Sequence, residues 1–235
     1  MRIRKKPWAE QELRDCPFFT DSPKDFVGHW HEQFARRQPL HLELGCGKGG
    51  FISQIAPANP DINYLAIDIK DAMLGLAVRK SIAAYEQIEK EPDNIWICAH
   101  DIECIDQILS PQDVVSRIYI NFCNPWPKTG HQKKRLTHTR QLKKYLTFMP
   151  EGAVHFKTDD ALLFLASKRY FTECGFELVY VTEDLHHSGY EPNYKTEHEI
   201  MFSQQGMPIH ILIARKTKKI SQKISQKISL LHRMY

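Results

Sequence analysis

The chain has 235 residues, 42% hydrophobic and 26% charged, with a net charge of +4, which fits one globular α/β domain with short extensions. No apolar run approaches the roughly 20 residues that cross a bilayer, and no apolar segment follows the basic start MRIRKKPW, so we expect a cytoplasmic protein without membrane anchor or signal peptide. Its six cysteines and twelve histidines form no C-x-x-C or H-E-x-x-H pattern, so we expect free thiols and no metal site.

The first 37 residues precede the first predicted strand and form a basic N-terminal arm, which we expect to be partly helical. Four of its first six residues are Lys or Arg. The main domain is predicted over residues 38–215. Within it, short apolar runs predict strands at 41–44, 64–69, 95–99, 117–122, 153–157, 176–181 and 208–214. The segments between them predict helices near 50–57, 71–90, 139–149 and 160–173.

These apolar runs lack strict polar alternation and are separated by helices, which indicates a parallel sheet covered on both faces. The last two runs are joined by a long connection without an evident helix, so we expect an antiparallel edge strand there. The predicted fold class is therefore doubly wound α/β, with a mostly parallel seven-stranded sheet. In such sheets, ligands bind at the carboxyl ends of the strands.

A glycine-rich loop, HLELGCGKGG, follows the first predicted strand. Its glycines, Gly45 and Gly47 above all, allow close approach of the backbone to a ligand and positive φ at low steric cost. The loop also matches the dinucleotide pattern G-x-G-x-x-G. Taken alone, it does not distinguish NAD from S-adenosylmethionine.

Three acids accompany three successive strands: Glu43, Asp68 and Asp101. Glu43 at the end of the first strand suits the ammonium group of S-adenosylmethionine and repels a diphosphate. Asp68 can accept hydrogen bonds from ribose hydroxyls, and Asp101 can lie near an adenine. Each acid also has a simpler role as a helix cap or turn residue. Three in succession favour one shared ligand.

The fourth strand is followed by Asn124-Pro125-Trp126-Pro127 and then Lys128. The two prolines stiffen this turn and hold Asn124 and Trp126 at the mouth of the predicted cleft. Trp126 offers a face on which a purine can stack, although a buried tryptophan in a rigid turn fits equally well. Lys128 opens a basic strip, residues 128–144, with seven Lys or Arg and no acid.

Two further segments are candidates for the same cleft. Asp159 follows the fifth strand, within HFKTDD, and can pair with a base edge or a cation. Thr196-Glu197-His198-Glu199 can form the far wall of the cleft. The pattern T-x-x-E is also a capping box, which is the reading that it has when taken alone.

The chain ends in a basic, low-complexity tail, 216–235, with the internal repeat KISQKISQKIS. This tail is predicted to be an amphipathic helix or to be disordered without a partner. Residues 1–6, 128–144 and 215–235 hold 18 of the 32 Lys and Arg residues and none of the 28 acids. One such strip would be a solvated face, whereas three on an acidic body favour a polyanion such as nucleic acid.

These segments together resemble the bacterial tRNA guanine-N7 methyltransferases over nearly the whole chain. The resemblance rests on R-x-R-x-K-P-W-A from Arg2, L-E-L-G-x-G-K-G from Leu42, N-P-W-P-K from Asn124, H-x-K-K-R-L-T from His131, H-F-K-T-D from His155, D-L-H from Asp184, T-E-x-E from Thr196 and G-x-P-I from Gly206. It implies a Rossmann-like enzyme that methylates N7 of a variable-loop guanosine in tRNA, with S-adenosylmethionine as the methyl donor. It leaves a monomer or a homodimer open.

The resemblance also implies roles for individual positions. The cofactor would be contacted by Glu43, Asp68, Asp101 and Asn124, and the substrate by Lys128, Asp159, Thr196, Glu197, His198 and Glu199. Asn124 departs from the aspartate that the family usually carries as its catalytic residue. Thr129-Gly130 stands where basic residues are common, which predicts weaker contact with phosphate.

Three alternatives follow from the same residues. An asparagine in N-P-x-aromatic also resembles methyltransferases of exocyclic amines, although those usually read N-P-P-Y/F/W. A tRNA-binding paralogue without turnover would keep the basic strips. An NAD oxidoreductase is disfavoured by Glu43 and by the lack of an evident acid–base residue for hydride transfer.

Overall fold

Eight strands form a single sheet at the centre of residues 6–216, the part of the chain that the computed structural model describes. The strands are β1 (Phe19–Thr20), β2 (Leu40–Leu44), β3 (Asn63–Asp68), β4 (Ile95–Ala99), β5 (Val115–Asn121), β6 (Gly152–Thr158), β7 (Glu177–Thr182) and β8 (His210–Lys216). Their order across the sheet is β1-β4-β3-β2-β5-β6-β8-β7. All neighbouring pairs from β1 to β6 are parallel, whereas β8 runs antiparallel to both β6 and β7.

The helices connect these strands in the alternating pattern that the sequence predicts. They are α1 (Pro7–Asp15), α2 (Ile52–Ala58), α3 (Asp71–Glu86), α4 (Thr139–Phe148), α5 (Ala161–Glu173) and α6 (Glu197–Gln204). Local chemistry sets several starts: Pro7 opens α1, and Asp160 accepts a hydrogen bond from the Leu163 N–H at 2.6 Å to cap α5. Short 3₁₀ helices lie at Pro23–Phe26, Trp30–Glu32, Ile102–Gln107 and Thr129–Lys134.

The predicted doubly wound, mostly parallel fold is confirmed, and the structure adds three details. An eighth strand, β1, comes from the N-terminal arm, and its two residues are too few for a sequence pattern. The antiparallel strand β8 lies one place in from the edge, between β6 and β7. The expectation of a β7–β8 connection without a helix was wrong, because α6 lies within it, and its hydrophobic residues follow no single face.

The core occupies both faces of the sheet, and β2 is buried along its whole length. From β2 the chain moves outward to β3 and β4 on one side, then returns to β5 and continues through β6 on the other. The order of the strands therefore reverses between β2 and β5. In open α/β sheets, a crevice forms outside the carboxyl ends of the strands at this point.

Parts of the predicted basic strips lie outside the described residues, namely residues 1–5 of the arm and 217–235 of the tail with its KISQ repeat. The rest of the arm is described, and α1 packs on α3, where Ala9 lies directly over Gly75. Within residues 6–216, no helix combines the length and apolar character that crossing a bilayer requires.

Candidate active site

The loop between β2 and α2 opens onto the crevice at the strand reversal. Gly45 and Gly47 have φ values of +82° and +53°, and the N–H groups of Gly45 and Cys46 both donate to the Ile67 carbonyl on β3. A Cβ atom at Gly45 or Gly47 would meet no atom within 4 Å, so both positions border open space. Gly49 differs, because a Cβ there would lie 2.6 Å from Cα of Ala77 on α3. Among these three glycines, Gly49 is required for packing, whereas Gly45 and Gly47 leave the backbone accessible from the crevice.

Glu43 presents a buried carboxyl group to this crevice. It is 2% exposed and lies on β2 directly before the glycine loop. The Asn121 side-chain nitrogen lies 3.4 Å from Oε1, while Oε2 has no hydrogen-bond partner at bonding distance. Burial raises the pKa of Glu43 to about 8, against smaller opposing effects of Asn121 and the Lys157 charge. A cation that entered here would therefore find an acceptor that no protein group fully satisfies.

Asp68 and Asp101 border the same crevice, where Asp68 closes a turn and Asp101 caps a 3₁₀ helix. Asp68 Oδ2 accepts a hydrogen bond from the Gly47 N–H at 3.0 Å, and its Oδ1 accepts from the N–H groups of Ile69 and Lys70 at 2.8 and 3.1 Å. Asp101 caps the 3₁₀ helix Ile102–Gln107 through the Glu103 N–H at 2.9 Å. The turn and cap roles predicted for these acids are therefore confirmed, whereas their contact with a ligand stays a prediction.

The crevice has two connected parts. The wider part has a volume of about 430 Å³, and the narrower part about 130 Å³. Both parts share Gly45, Gly47, Met73, Phe122 and His198. The wider part also contains Asp68, His100, Asp101, Asn124, Trp126 and Lys134, and the narrower part contains Glu43, Lys48, Asn121, Thr196 and Glu197. The acids after β2, β3 and β4 and the turn after β5 therefore meet in one cleft.

Asn124 lies exposed at the rim of the wider part. Its Oδ1 accepts a hydrogen bond from the Trp126 N–H at 3.1 Å, which closes the turn on itself. Trp126 has a φ of +43°, an uncommon conformation for a bulky residue. Its ring is half-buried, with the Lys134 ammonium 5.1 Å from the ring centroid. Lys128 is exposed just beyond the turn.

Arg135 holds this turn from below, a role that sequence reasoning missed. It is 5% exposed, and its Nε and Nη2 donate to the carbonyls of Pro125 and Trp126 at 2.8 and 3.4 Å. Lys144 is also used internally, paired with Asp106 at 2.7 Å. The predicted basic strip 128–144 therefore exposes five of its seven cations: Lys128, Lys133, Lys134, Arg140 and Lys143.

The remaining predicted site residues fall into two groups: Thr196, Glu197 and His198 line the cleft, whereas Asp159 and Glu199 do not. Asp159 is half-buried after β6 and acts electrostatically on Cys123, a thiol of the wider cleft. Thr196, Glu197 and His198 line the narrower part of the cleft, and Thr196 caps α6 by accepting from the Glu199 N–H at 3.1 Å. Glu199 is completely buried and does not line either part of the cleft.

Phe122 is a second residue that the sequence analysis missed. It lines both parts of the cleft and has a φ of +53°, a strained conformation of the kind that clusters at functional sites. Its ring lies within 17° of parallel to the ring of His198, with centroids 6.1 Å apart. The sequence signal was its place between the fourth strand and the N-P-W-P turn.

Across residues 6–216, no group of three or more His, Cys, Asp or Glu side chains is arranged to hold a metal ion. The six cysteines are free thiols, as predicted.

Comparison with known proteins identifies the family to which the chain is similar. The family described as "Putative methyltransferase" matches residues 37–212. The chain is 57% identical to the tRNA (guanine-N(7)-)-methyltransferase of Clostridium beijerinckii, covering 92% of this chain and 99% of that protein. It is 55% identical to the enzyme of the same name from Clostridium perfringens strain 13, covering 92% and 100%.

Among solved structures, the 16S rRNA methyltransferase KamB superposes with a TM-score of 0.58 at 13% identity, covering 85% of this chain and 94% of that one. At this identity the likeness concerns the fold alone. The family match and the two bacterial relatives show more: this chain belongs to the tRNA (guanine-N(7)-)-methyltransferase family, the methyltransferases that its sequence motifs resemble.

Proposed function

We propose that the protein transfers a methyl group from S-adenosylmethionine to N7 of a variable-loop guanosine in tRNA. The observation that carries this proposal is the meeting, in one cleft, of the unsatisfied Glu43 carboxyl group and the Asn124 turn. The names of the relatives supply the substrate class and the methylated atom. We place this activity in the cytoplasm, where the proposed tRNA substrate is found.

The narrower part of the cleft fits the methionine end of the donor. The unpartnered Glu43 Oε2 is suited to the ammonium group, and the open space at Gly45 and Gly47 leaves the backbone free to approach a ligand. Glu43 offers a diphosphate no positive charge, and its ionised form would repel one, which disfavours a dinucleotide. Asp68 and Asp101 border the wider part and are the acceptors that would hold ribose and adenine.

The rim of the cleft fits an RNA base and its phosphates. Phe122 and His198 present near-parallel rings, and Asn124 and Trp126 stand beside them. Lys128, Lys133 and Lys134 are exposed around this rim and carry charge toward a polyanion. Asp159 lines neither part of the cleft, so only the family resemblance supports its contact with the substrate.

The methyl transfer requires no general base. The bound donor supplies a methyl group that its sulfonium makes electrophilic, and guanine N7 already carries an in-plane lone pair without a proton. The residues of the cleft therefore act chiefly by holding and orienting, which contributes roughly 7–11 kcal/mol in well-aligned reactions. The purine becomes positively charged, and the Asn124 oxygen at the rim can stabilise this charge, although less than a carboxylate would.

The test is product identification. Purified protein is incubated with methyl-labelled S-adenosylmethionine and bulk tRNA, and the digested nucleosides are analysed by mass spectrometry. We expect N7-methylguanosine. Labelled N6-methyladenosine would instead support the exocyclic-amine alternative that Asn124 leaves open. Salt-dependent binding of tRNA without labelled product would identify a binding paralogue, and both outcomes would reject the proposal.

A further inference from the structure

A buried ion pair lies directly behind the cleft. Nζ of Lys157 on β6 is 2.7 Å from Oε2 of Glu199 on α6, and the two side chains are 6% and 0% exposed. Separating two charges in such surroundings is costly, because burial removes the water that would otherwise solvate each of them. The pair therefore links the end of a central strand to the helix that forms one wall of the cleft.

Both carboxylate oxygens of Glu199 accept hydrogen bonds from within the protein. Besides Lys157 on Oε2, its Oε1 accepts from Asn193 Nδ2 at 2.6 Å and from His186 Nε2 at 3.0 Å. Lys157 uses all three of its N–H donors, adding Asn193 Oδ1 and the Tyr194 carbonyl, each at 3.1 Å. A substrate would have to displace one of these partners to reach the carboxylate.

The hydrogen bonds around Lys157 and Glu199 hold the start of α6, where the residues that border the cleft lie. Thr196 begins α6, and Glu197 and His198 follow in its first turn and line the narrower part. Glu197 forms an ion pair with Lys80, so a second ion pair connects the first turn of α6 to α3. His198 in turn faces Phe122. The positions of Glu197 and His198 therefore depend on the ion pair between Lys157 and Glu199.

We infer that Lys157 and Glu199 are positioning residues. They hold α6, and with it the cleft residues Glu197 and His198, in place, and Glu199 does not itself contact the substrate. This inference rests on the proposed function, and it replaces the substrate contact that the family resemblance implies for Glu199. Lys157, Asn193 and His186 are the partners through which Glu199 acts.

The experiment compares Lys157→Met, Glu199→Gln and the double variant Lys157→Met/Glu199→Gln. Lys157→Met leaves a buried carboxylate without its cation, so we expect kcat/KM for tRNA to fall at least tenfold. The double variant removes both charges, and glutamine keeps the acceptor oxygen that Asn193 and His186 use. We expect it to recover to within about threefold of the unmodified protein, with both the tRNA KM and kcat restored.

Recovery in the double variant separates positioning from contact. If the Glu199 carboxylate touched substrate, Glu199→Gln and the double variant would be equally impaired, and the inference would be overturned. Should Lys157→Met fail to fold, the comparison of Glu199→Gln with the double variant still decides, because positioning requires the double variant to be the more active. Lys168→Met, which removes a partly exposed pair between α5 and Glu183 just after β7, is the matched control.

The reaction of the unmodified protein with tRNA distinguishes failure of this inference from failure of the proposed function. If the unmodified protein makes no N7-methylguanosine, the proposed function fails. If it does and the double variant shows no recovery, only the role of Lys157 and Glu199 is wrong.

Discussion

The Asn121 amide nitrogen lies 3.4 Å from Oε1 of Glu43, across the neighbouring parallel strands β5 and β2. The second carboxyl oxygen, Oε2, has no hydrogen-bond partner. The backbone N–H of Ile52 slightly opposes the rise in the pKa of this group. Glu43 is thus held in orientation from one side while its other side faces the cleft. Because one carboxyl oxygen lacks a partner, we expect Glu43 to contact S-adenosylmethionine. In the protein without S-adenosylmethionine, the same unpaired oxygen lowers stability.

The first prediction concerns the pH dependence of stability. Burial raises the pKa of Glu43 to about 8, so the folded donor-free protein retains a proton that the unfolded chain releases near pH 4.5. The free energy of unfolding should therefore fall as pH rises from about 5 to 8, by up to about 1.4 kcal/mol per pH unit from this group. Glu43→Gln should remove this component, as measured by urea unfolding of both proteins at several pH values.

The control is Glu86→Gln at the exposed end of α3, which should follow the unmodified protein at every pH. Parallel pH profiles for Glu43→Gln and the unmodified protein would show that Glu43 is ionised in the folded state. Calorimetry adds an independent readout, because Glu43→Gln should weaken donor binding at least tenfold at pH 7.

A second prediction separates the two uses of glycine in the loop after β2. Gly49→Ala brings a methyl group to 2.6 Å from the Ala77 backbone at a φ of +76°, so unfolding should become easier by roughly 2–5 kcal/mol. Gly47→Ala meets no neighbouring atom, so its stability cost is limited to about 1–2 kcal/mol of backbone strain. The alanine methyl group of Gly47→Ala enters the cleft, so the affinity for S-adenosylmethionine should fall at least tenfold.

Thermal unfolding and donor titration on both variants check this pair. Equal loss of stability in the two variants would contradict the distinction between packing and access.

A third prediction addresses the departure at Asn124. Asn124→Asp keeps an oxygen that accepts from the Trp126 N–H, so the turn should be preserved. The added charge stabilises the positive purine, and single-turnover methylation of tRNA should become faster, by roughly tenfold for about 1.4 kcal/mol. An unchanged or lower rate, with unaltered thermal stability, would reject this account of Asn124. Trp126→Phe, which leaves the backbone hydrogen bond intact, is the companion variant for the turn.

A fourth prediction distinguishes Arg135 from the rest of the basic strip. Arg135→Met leaves the Pro125 and Trp126 carbonyls without their donor, which should cost roughly 2–4 kcal/mol of stability and lower kcat more than tenfold. Lys133→Met, at an exposed position, should instead raise the tRNA KM and reduce its dependence on salt. Steady-state kinetics at two salt concentrations measure both effects. Identical behaviour of the two variants would place Arg135 among the phosphate contacts after all.

Much of this protein is determined by patterns within short stretches of its sequence. The alternation of apolar runs and helical segments predicts the sheet, because burial on both faces removes polar residues from the strands. The glycines after β2 and the prolines beside Asn124 restrict the backbone locally, so the two ends of the cleft are evident before any tertiary contact is known. Glu43, Asp68 and Asp101 follow from their places at successive strand ends.

The tertiary structure alone decides which of those polar groups are free to bind. Glu43 meets Asn121 from 78 residues away and keeps one oxygen open, whereas Glu199 meets Lys157 from 42 residues away and keeps none. Arg135 carries the same charge as its neighbours in the strip and is nevertheless buried beneath a turn. Hydrogen bonding and desolvation depend on what the fold brings to within about 3 Å, and sequence spacing does not contain that information.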